Sequence, residues 1–304
     1  MDDTKELNEK LARLVTEQSN RNLLDIDRMG VTEILKSING EDKLVAVAVE
    51  REIPHIAAAV ELVVDALRER GRLVYVGAGT SGRLGILDAA ECPPTFGTPP
   101  EKIIGIIAGG RDAVFKSQEG AEDDVDQADR DMRSINLQET DVVCGIAASS
   151  RTPYVVRSLD YAKSVGAKTI FITTNPRSSA HSSSDVAICP EVGPEVIMGS
   201  TRMKSGTAQK MVLNMITSAA MIRLGKVYKN MMVDLQLTNQ KLVERAKRII
   251  MLATGVDYER AAAVLHESGG HVKTSIVMIR KNVGRDAARA LLERAGGFVA
   301  PAVD

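Results

Sequence analysis

The sequence predicts an α/β fold: a doubly wound, mostly parallel sheet in a three-layer sandwich, with N-terminal helices and a small C-terminal helical subdomain. Three observations predict it. Short apolar runs, RLVYVGAG, KIIGIIAGG, DVVCGIAAS, KTIFITTN and DVAICP, follow one another at intervals filled by helical or loop segments. The runs are near-continuous rather than alternating, as in strands buried on both faces of a parallel sheet. Strand alternating with helix then places helices on both faces of that sheet.

The elements follow in order. Leu7, Leu11 and Leu14 share one face of a first helix. The stretch from Val31 to Gly71 predicts two or three more, with Ile56, Val60, Val63, Val64 and Leu67 at helical spacing. Pro54 sits where a helix can start and Gly71 where the last should stop. The sheet follows. From about Thr207 the chain returns to helix in QKMVLNMITSAAMIRLG, whose Met and Leu spacing reads as core or as a subunit interface. Short amphipathic helices punctuated by Gly255, Gly269, Gly270, Gly284, Gly296 and Gly297 complete the chain. The expected division is an N-terminal helical segment over 1–62, a sheet domain over 63–226 and a helical subdomain over 241–304.

Composition narrows the function. The chain has 304 residues, 44% hydrophobic and 26% charged, enough to bury a sizeable core. Its 39 basic and 40 acidic side chains give a net charge of -1, which argues against charge-driven binding to nucleic acid or to an anionic membrane. Aromatics are 3% and Trp is absent, so stacking platforms for bases or sugars are not expected. Cys92, Cys144 and Cys189 lack metal-like spacing and read as reduced thiols of a cytoplasmic protein. The opening MDDTKELNEK has no apolar run after a basic start, so no signal peptide is expected. No stretch approaches the roughly 18 apolar residues of a membrane span.

Ligands of such sheets bind beyond the carboxyl ends of the strands, so the loops after the apolar runs are where chemistry belongs. GAGTSGRLG, after the first run, offers glycines for close backbone approach, the hydroxyls of Thr80 and Ser81, and the free N–H groups of a helix start. Gly77, Gly79 and Gly82 match the dinucleotide spacing, but the acidic residue that should hold ribose arrives late, at Asp112 after two glycines and Arg111. A phosphate cradle fits better, with a purely structural glycine turn as the alternative. AASSRTPY, after the third run, sets Ser149, Ser150 and Thr152 at a second strand-to-helix turn. Two such turns in one sheet can converge on one phosphate with no base to recognise.

Acidic residues supply the rest. Glu91 sits among Ala89, Ala90, Cys92, Pro93 and Pro94. If those neighbours desolvate it, its pKa rises and it suits a general acid; otherwise it is a carboxylate in water. Glu122 lies in a run, Glu119 to Asp131, that reads mostly as a solvated helix face and lacks the glycine and glutamate of a calcium loop. Glu195 and Ser200 precede the long helix in a segment able to clasp a substrate or simply to cap that helix. His55, His181, His266 and His271 have no metal-binding spacing, and neither a metal nor a cofactor is expected.

GAGTSGR and the second hydroxyl-rich turn resemble the two phosphate-binding turns of sugar isomerase (SIS) domains. The longer strings GAGTSGRLGILDAAECPPTFG, GIAASSRTPYV and GSTRMKSGTAQKMVLNM resemble N-acetylmuramic acid 6-phosphate etherases, and the likeness covers nearly the whole chain. The resemblance implies cleavage of the ether joining D-lactate to C3 of a small phosphorylated amino sugar, in cell-wall recycling, by a cytoplasmic homodimer. It places the two catalytic glutamates on Glu91 and Glu122. Desolvation would make Glu91 the acid that protonates lactate and leave Glu122 the base at C2. The implied phosphate hydroxyls are Ser81, Ser149 and Thr152, with Thr80 and Gly82 beside the first. One departure is visible: Ser150 stands where the family pattern AASGRTPY has glycine. A positive φ there would strain the serine; otherwise an extra hydroxyl reaches the phosphate. Rival readings are an aldose–ketose sugar-phosphate isomerase on the same fold and a non-catalytic sugar-phosphate regulator.

Overall fold

The structure, a computed structural model, describes residues 14–180 and 183–304. Leu7, Leu11 and His181 lie outside the described residues. The chain forms two compact units, one of residues 1–89 and 101–216, the other of 90–100 and 217–304.

The first unit holds the sheet. Its strands are β1 (Leu73–Gly77), β2 (Ile103–Ile107), β3 (Val142–Ile146), β4 (Lys168–Ile172) and β5 (Val186–Ile188), in the order β2-β1-β3-β4-β5. Every pairing is parallel. β1 and β3 are buried along their whole length, as near-continuous apolar runs require. Helices α1 (Val31–Arg51), α2 (Ile53–Arg68), α3 (Gly79–Phe96), α4 (Asp112–Phe115), α5 (Val125–Ser134), α6 (Pro153–Ser164) and α7 (Lys204–Arg223) surround or flank it. Side chains alternate along β1. Val74 and Val76 join one core with Met132 of α5 and Tyr154 and Leu159 of α6. Tyr75 points the other way, where its hydroxyl donates to Asp88 of α3 at 3.0 Å. The sheet is therefore covered on both faces, as expected.

Two expected boundaries move. The break at residue 62 falls inside α2, whose Val60, Val63 and Val64 are buried. Residues 31–68 belong with the sheet because that helix lies against β1, β3 and β5. Pro54 does stand in its first turn. The second unit begins not at 241 but at 217, and it also takes in residues 90–100. Tyr228, Val233 and Leu235 pack into its core with the helices α8 (Gln240–Thr254), α9 (Tyr258–Glu267), α10 (Val272–Lys281), α11 (Arg285–Arg294) and α12 (Val299–Val303). Gly97 fits there because a Cβ at its φ of +63° would lie 2.2 Å from the Asp234 carbonyl oxygen. Asp234 accepts from the Nζ atoms of Lys226 and Lys273 at 2.9 and 2.6 Å, which holds the start and middle of this unit together.

Candidate active site

The strands end level. Gly77 pairs with Ile107 on one side and Ile146 on the other, and Ile146 pairs with Ile172. The loops after β1, β2, β3 and β4 therefore leave the sheet side by side. In this strand order the switch point lies between β1 and β3, where doubly wound sheets hold their ligands. The two hydroxyl-rich turns flank that point.

The first turn is built on close packing. A Cβ at Gly82 would lie 2.6 Å from Ile107 Cγ1 and 2.7 Å from the Gly77 carbonyl oxygen. Gly79 opens α3 at φ +53°. Thr80 lies against the first turn of α7, where a Cβ at Gly206 would meet its Cγ2 at 3.4 Å. Ser81 is buried and its hydroxyl donates to Gln209 Oε1 of α7 at 2.9 Å.

The second turn carries a serine in the left-handed region: Ser150 has φ +64°. The position does require the glycine-like conformation, so the strained alternative holds. Its hydroxyl turns inward, 2.5 Å from Thr173 Oγ1 and 3.2 Å from Ser179 Oγ. Thr173 gives its own hydrogen to the Ala148 carbonyl at 3.0 Å and Ser179 gives its own to Pro176 at 2.6 Å. The Ser150 hydrogen is thus consumed inside the protein, not offered to a ligand. Ser149 is half-buried and has no hydrogen-bond partner among the described residues. Thr152 begins α6, yet its side chain makes no capping bond. These two hydroxyls remain available.

The acids differ from expectation. Glu91 is an exposed residue of α3 rather than a desolvated loop carboxylate, and residue 91 counts with the second unit. The buried acid of that helix is Asp88, whose carboxylate accepts from Tyr75 Oη at 3.0 Å and Asn214 Nδ2 at 2.6 Å. Burial, with Asp88 nearby, drives the Cys144 thiol far above its usual range. All three cysteines are buried free thiols. Glu122 sits on a short 3₁₀ turn, Ala121–Asp123, after the left-handed Gly120. It lines a cleft of about 280 Å³ that also touches Ala78 and Gly79 of the first turn. Arg83, which lines the same cleft, donates to the carbonyls of Val114 and Ala113 of α4 at 2.8 and 2.7 Å.

Glu195 does not clasp a ligand here. It is fully buried, and its two oxygens accept from the backbone N–H groups of Lys204 and Ser205 at 2.9 Å each, capping α7. Ser200 lies in the turn just before, its N–H bonded to the Ile197 carbonyl. Lys204 is buried and donates to Glu41 at 2.5 Å. Burial alone would raise the Glu41 carboxyl, but bonds from Lys204 and Asn20 outweigh it and hold the group below its usual range. The Met stripe of α7 divides: Met221 is buried, whereas Met215 is exposed.

Sequence reasoning missed three contributors. Gln209, Arg83 and the Thr173–Asn175 segment all converge here, the last through Asn175, which donates to the Ala148 carbonyl at 2.7 Å. The strand-end position of Thr173 and Asn175 was a readable signal; the partner of Gln209 was not. Among the described residues no group of three His, Cys, Asp or Glu could hold a metal ion.

Known proteins place this arrangement. Residues 55–163 match the glucokinase regulatory protein N-terminal SIS domain and residues 115–219 the SIS domain. A phosphosugar isomerase candidate from Bacteroides fragilis, involved in capsule formation, shares the fold at a TM-score of 0.51 and 25% identity, covering 66% of this chain and 95% of its own. An N-acetylmuramic acid 6-phosphate etherase from Salinibacter ruber is 59% identical, covering 100% of this chain and 98% of its own. Another, from Caldanaerobacter subterraneus subsp. tengcongensis, is 54% identical over 96% of each. With identity of that order over the full length, and with both hydroxyl-rich turns at the switch point of an SIS sheet, the chain belongs to the N-acetylmuramic acid 6-phosphate etherase family.

Proposed function

We propose that this chain cleaves the D-lactyl ether of N-acetylmuramic acid 6-phosphate, releasing D-lactate and N-acetylglucosamine 6-phosphate in cell-wall sugar recycling. The observation that carries the reading is the juxtaposition, at neighbouring strand ends, of two hydroxyl-rich turns with a cleft reaching Glu122. Backbone N–H groups at the start of α3, with Ser81, Ser149 and Thr152, hold the 6-phosphate, since helix N-termini and neutral donors suit a dianion.

Ring opening exposes an aldehyde at C1 and acidifies the C2 hydrogen. A carboxylate removes that hydrogen, the C3–O bond breaks, and a carboxylic acid protonates the departing lactate oxygen. Water then adds at C3 and a proton returns to C2, so the overall reaction is a hydrolysis without redox change. Glu122 is the base, because it shares its cleft with the phosphate turn. Glu91 is the acid. Its exposure removes desolvation as the reason; the resemblance supplies the pair of glutamates, and Glu91 takes the acid's part because Glu122 takes the base's. No cofactor takes part. The molecule works as a homodimer, to be checked by sedimentation equilibrium.

The test measures lactate release from N-acetylmuramic acid 6-phosphate and exchange of the C2 hydrogen of N-acetylglucosamine 6-phosphate in deuterated water. Glu91→Ala should lose lactate release by about 10²–10⁴-fold while keeping exchange, and Glu122→Ala should lose both. Activity should survive exhaustive chelation. Sugar-phosphate binding by wild type without any lactate release would instead make the chain a regulator.

A further inference from the structure

Gln209 of α7 is 1% exposed, and only one end of its amide is used. Oε1 accepts the Ser81 hydroxyl at 2.9 Å, while Nε2 is buried with no partner. Two N–H donors left unpaired in the interior are costly. The arrangement also has a consequence for Ser81. A hydroxyl has one hydrogen, and here Gln209 takes it. A phosphate dianion offers only acceptors, so Ser81 held this way cannot bond to one.

A half-turn of the carboxamide about its last torsion exchanges Nε2 and Oε1. Nε2 then donates one of its hydrogens to Ser81 Oγ, the Ser81 hydrogen is released toward the ligand, and one unpaired donor and one unpaired acceptor replace two unpaired donors. The buried nitrogen is shut off from solvent, so its route to a ligand runs through the serine. We propose that Gln209 is a positioning residue that gates the Ser81 hydrogen, holding it in the free protein and releasing it to a phosphate monoester. This rests on the reading that Ser81 meets the 6-phosphate.

The test uses N-acetylglucosamine 6-phosphate as the probe, titrated calorimetrically at pH 8 into wild type, Ser81→Ala, Gln209→Glu and the double variant. An ionised carboxylate at 209 accepts from Ser81 and can never return a hydrogen. Gln209→Glu should therefore weaken the probe about tenfold more with Ser81 present than with alanine in its place. Lowering the pH should restore binding only in the variant that keeps Ser81. Equal loss in both backgrounds would overturn the gating role. If Gln209→Glu fails to fold, the Gln209 side-chain amide of wild type, assigned by its absence in Gln209→Met, gives the answer by NMR. Its protons should shift downfield on saturation with the probe, and no shift would overturn the proposal. Failure of wild type to bind the probe, or undiminished binding by Ser81→Ala, would remove the phosphate reading itself; loss with Ser81→Ala and no coupling to residue 209 removes only this inference.

Discussion

The turn after β1 reaches its helix through three glycines, Gly77 and Gly82 packed so closely that no side chain fits and Gly79 at φ +53°, whereas the turn after β3 makes the same strand-to-helix change with a serine at φ +64°. In the first, conformational freedom comes from residues without Cβ, and the hydroxyl that faces the switch point has to be held by Gln209 on another helix. In the second, Ser150 accepts a strained backbone and its hydroxyl locks the turn onto Thr173, just after β4. Left-handed geometry costs an L-residue roughly 1–2 kcal/mol, and a buried hydrogen bond returns roughly 0.5–1.5 kcal/mol, so the two constructions come out nearly even. A left-handed turn position, where glycine sits without strain, can thus hold serine when a partner waits at the right place.

The largest expected effect breaks the first turn. Gly82→Ala puts a methyl 2.6 Å from Ile107 and 2.7 Å from the Gly77 carbonyl oxygen, and the latter is backbone that cannot swing away. Stability should fall by about 3 kcal/mol, measured as the urea midpoint. An unchanged midpoint would show that close packing does not define this turn. Next comes the open hydroxyl of the second turn. Ser149→Ala should weaken N-acetylglucosamine 6-phosphate ten- to a hundredfold, about 1.5–3 kcal/mol for a hydrogen bond to a charged group, with the melting temperature unchanged; equal affinity would leave phosphate binding to the first turn alone. The smallest effect sharpens the contrast at Ser150. Ser150→Gly relieves the strain as it removes the hydroxyl, and should stay within about 0.5 kcal/mol of wild type. Ser150→Ala keeps the strain without the bond and should be about 1 kcal/mol less stable than the glycine variant. A glycine variant no more stable than the alanine one would show that the backbone is not strained there.

Much of the site was legible because strand ends are local events. The apolar runs located all five strands of the main sheet, and the residues that follow each run had to gather at one edge once the pairing was parallel. Ser81, Ser149 and Thr152 were picked out as candidates in this way. Glu91 shows where local reading fails. Small apolar neighbours in sequence suggested desolvation, but on a helix burial depends on which face meets the sheet, and that face presents Asp88. Glu195 fails for a similar reason: a carboxylate near a helix start reads alike as a clasp or a cap, and only the positions of the Lys204 and Ser205 N–H groups separate the two.

By itself the sequence determined the α/β class, the five-strand order of appearance, the two hydroxyl-rich turns and the family, since each rests on residues adjacent in the chain or on strings read whole. The tertiary structure alone decided that residues 90–100 join the second unit, that Asp88 and not Glu91 is buried, and that the Ser81 hydrogen lies with Gln209. The physical reason is distance along the chain. Ser81 and Gln209 are 128 residues apart, and which donor meets which acceptor across such a span is set by how the helices pack on the sheet, a fact no local pattern of side chains encodes.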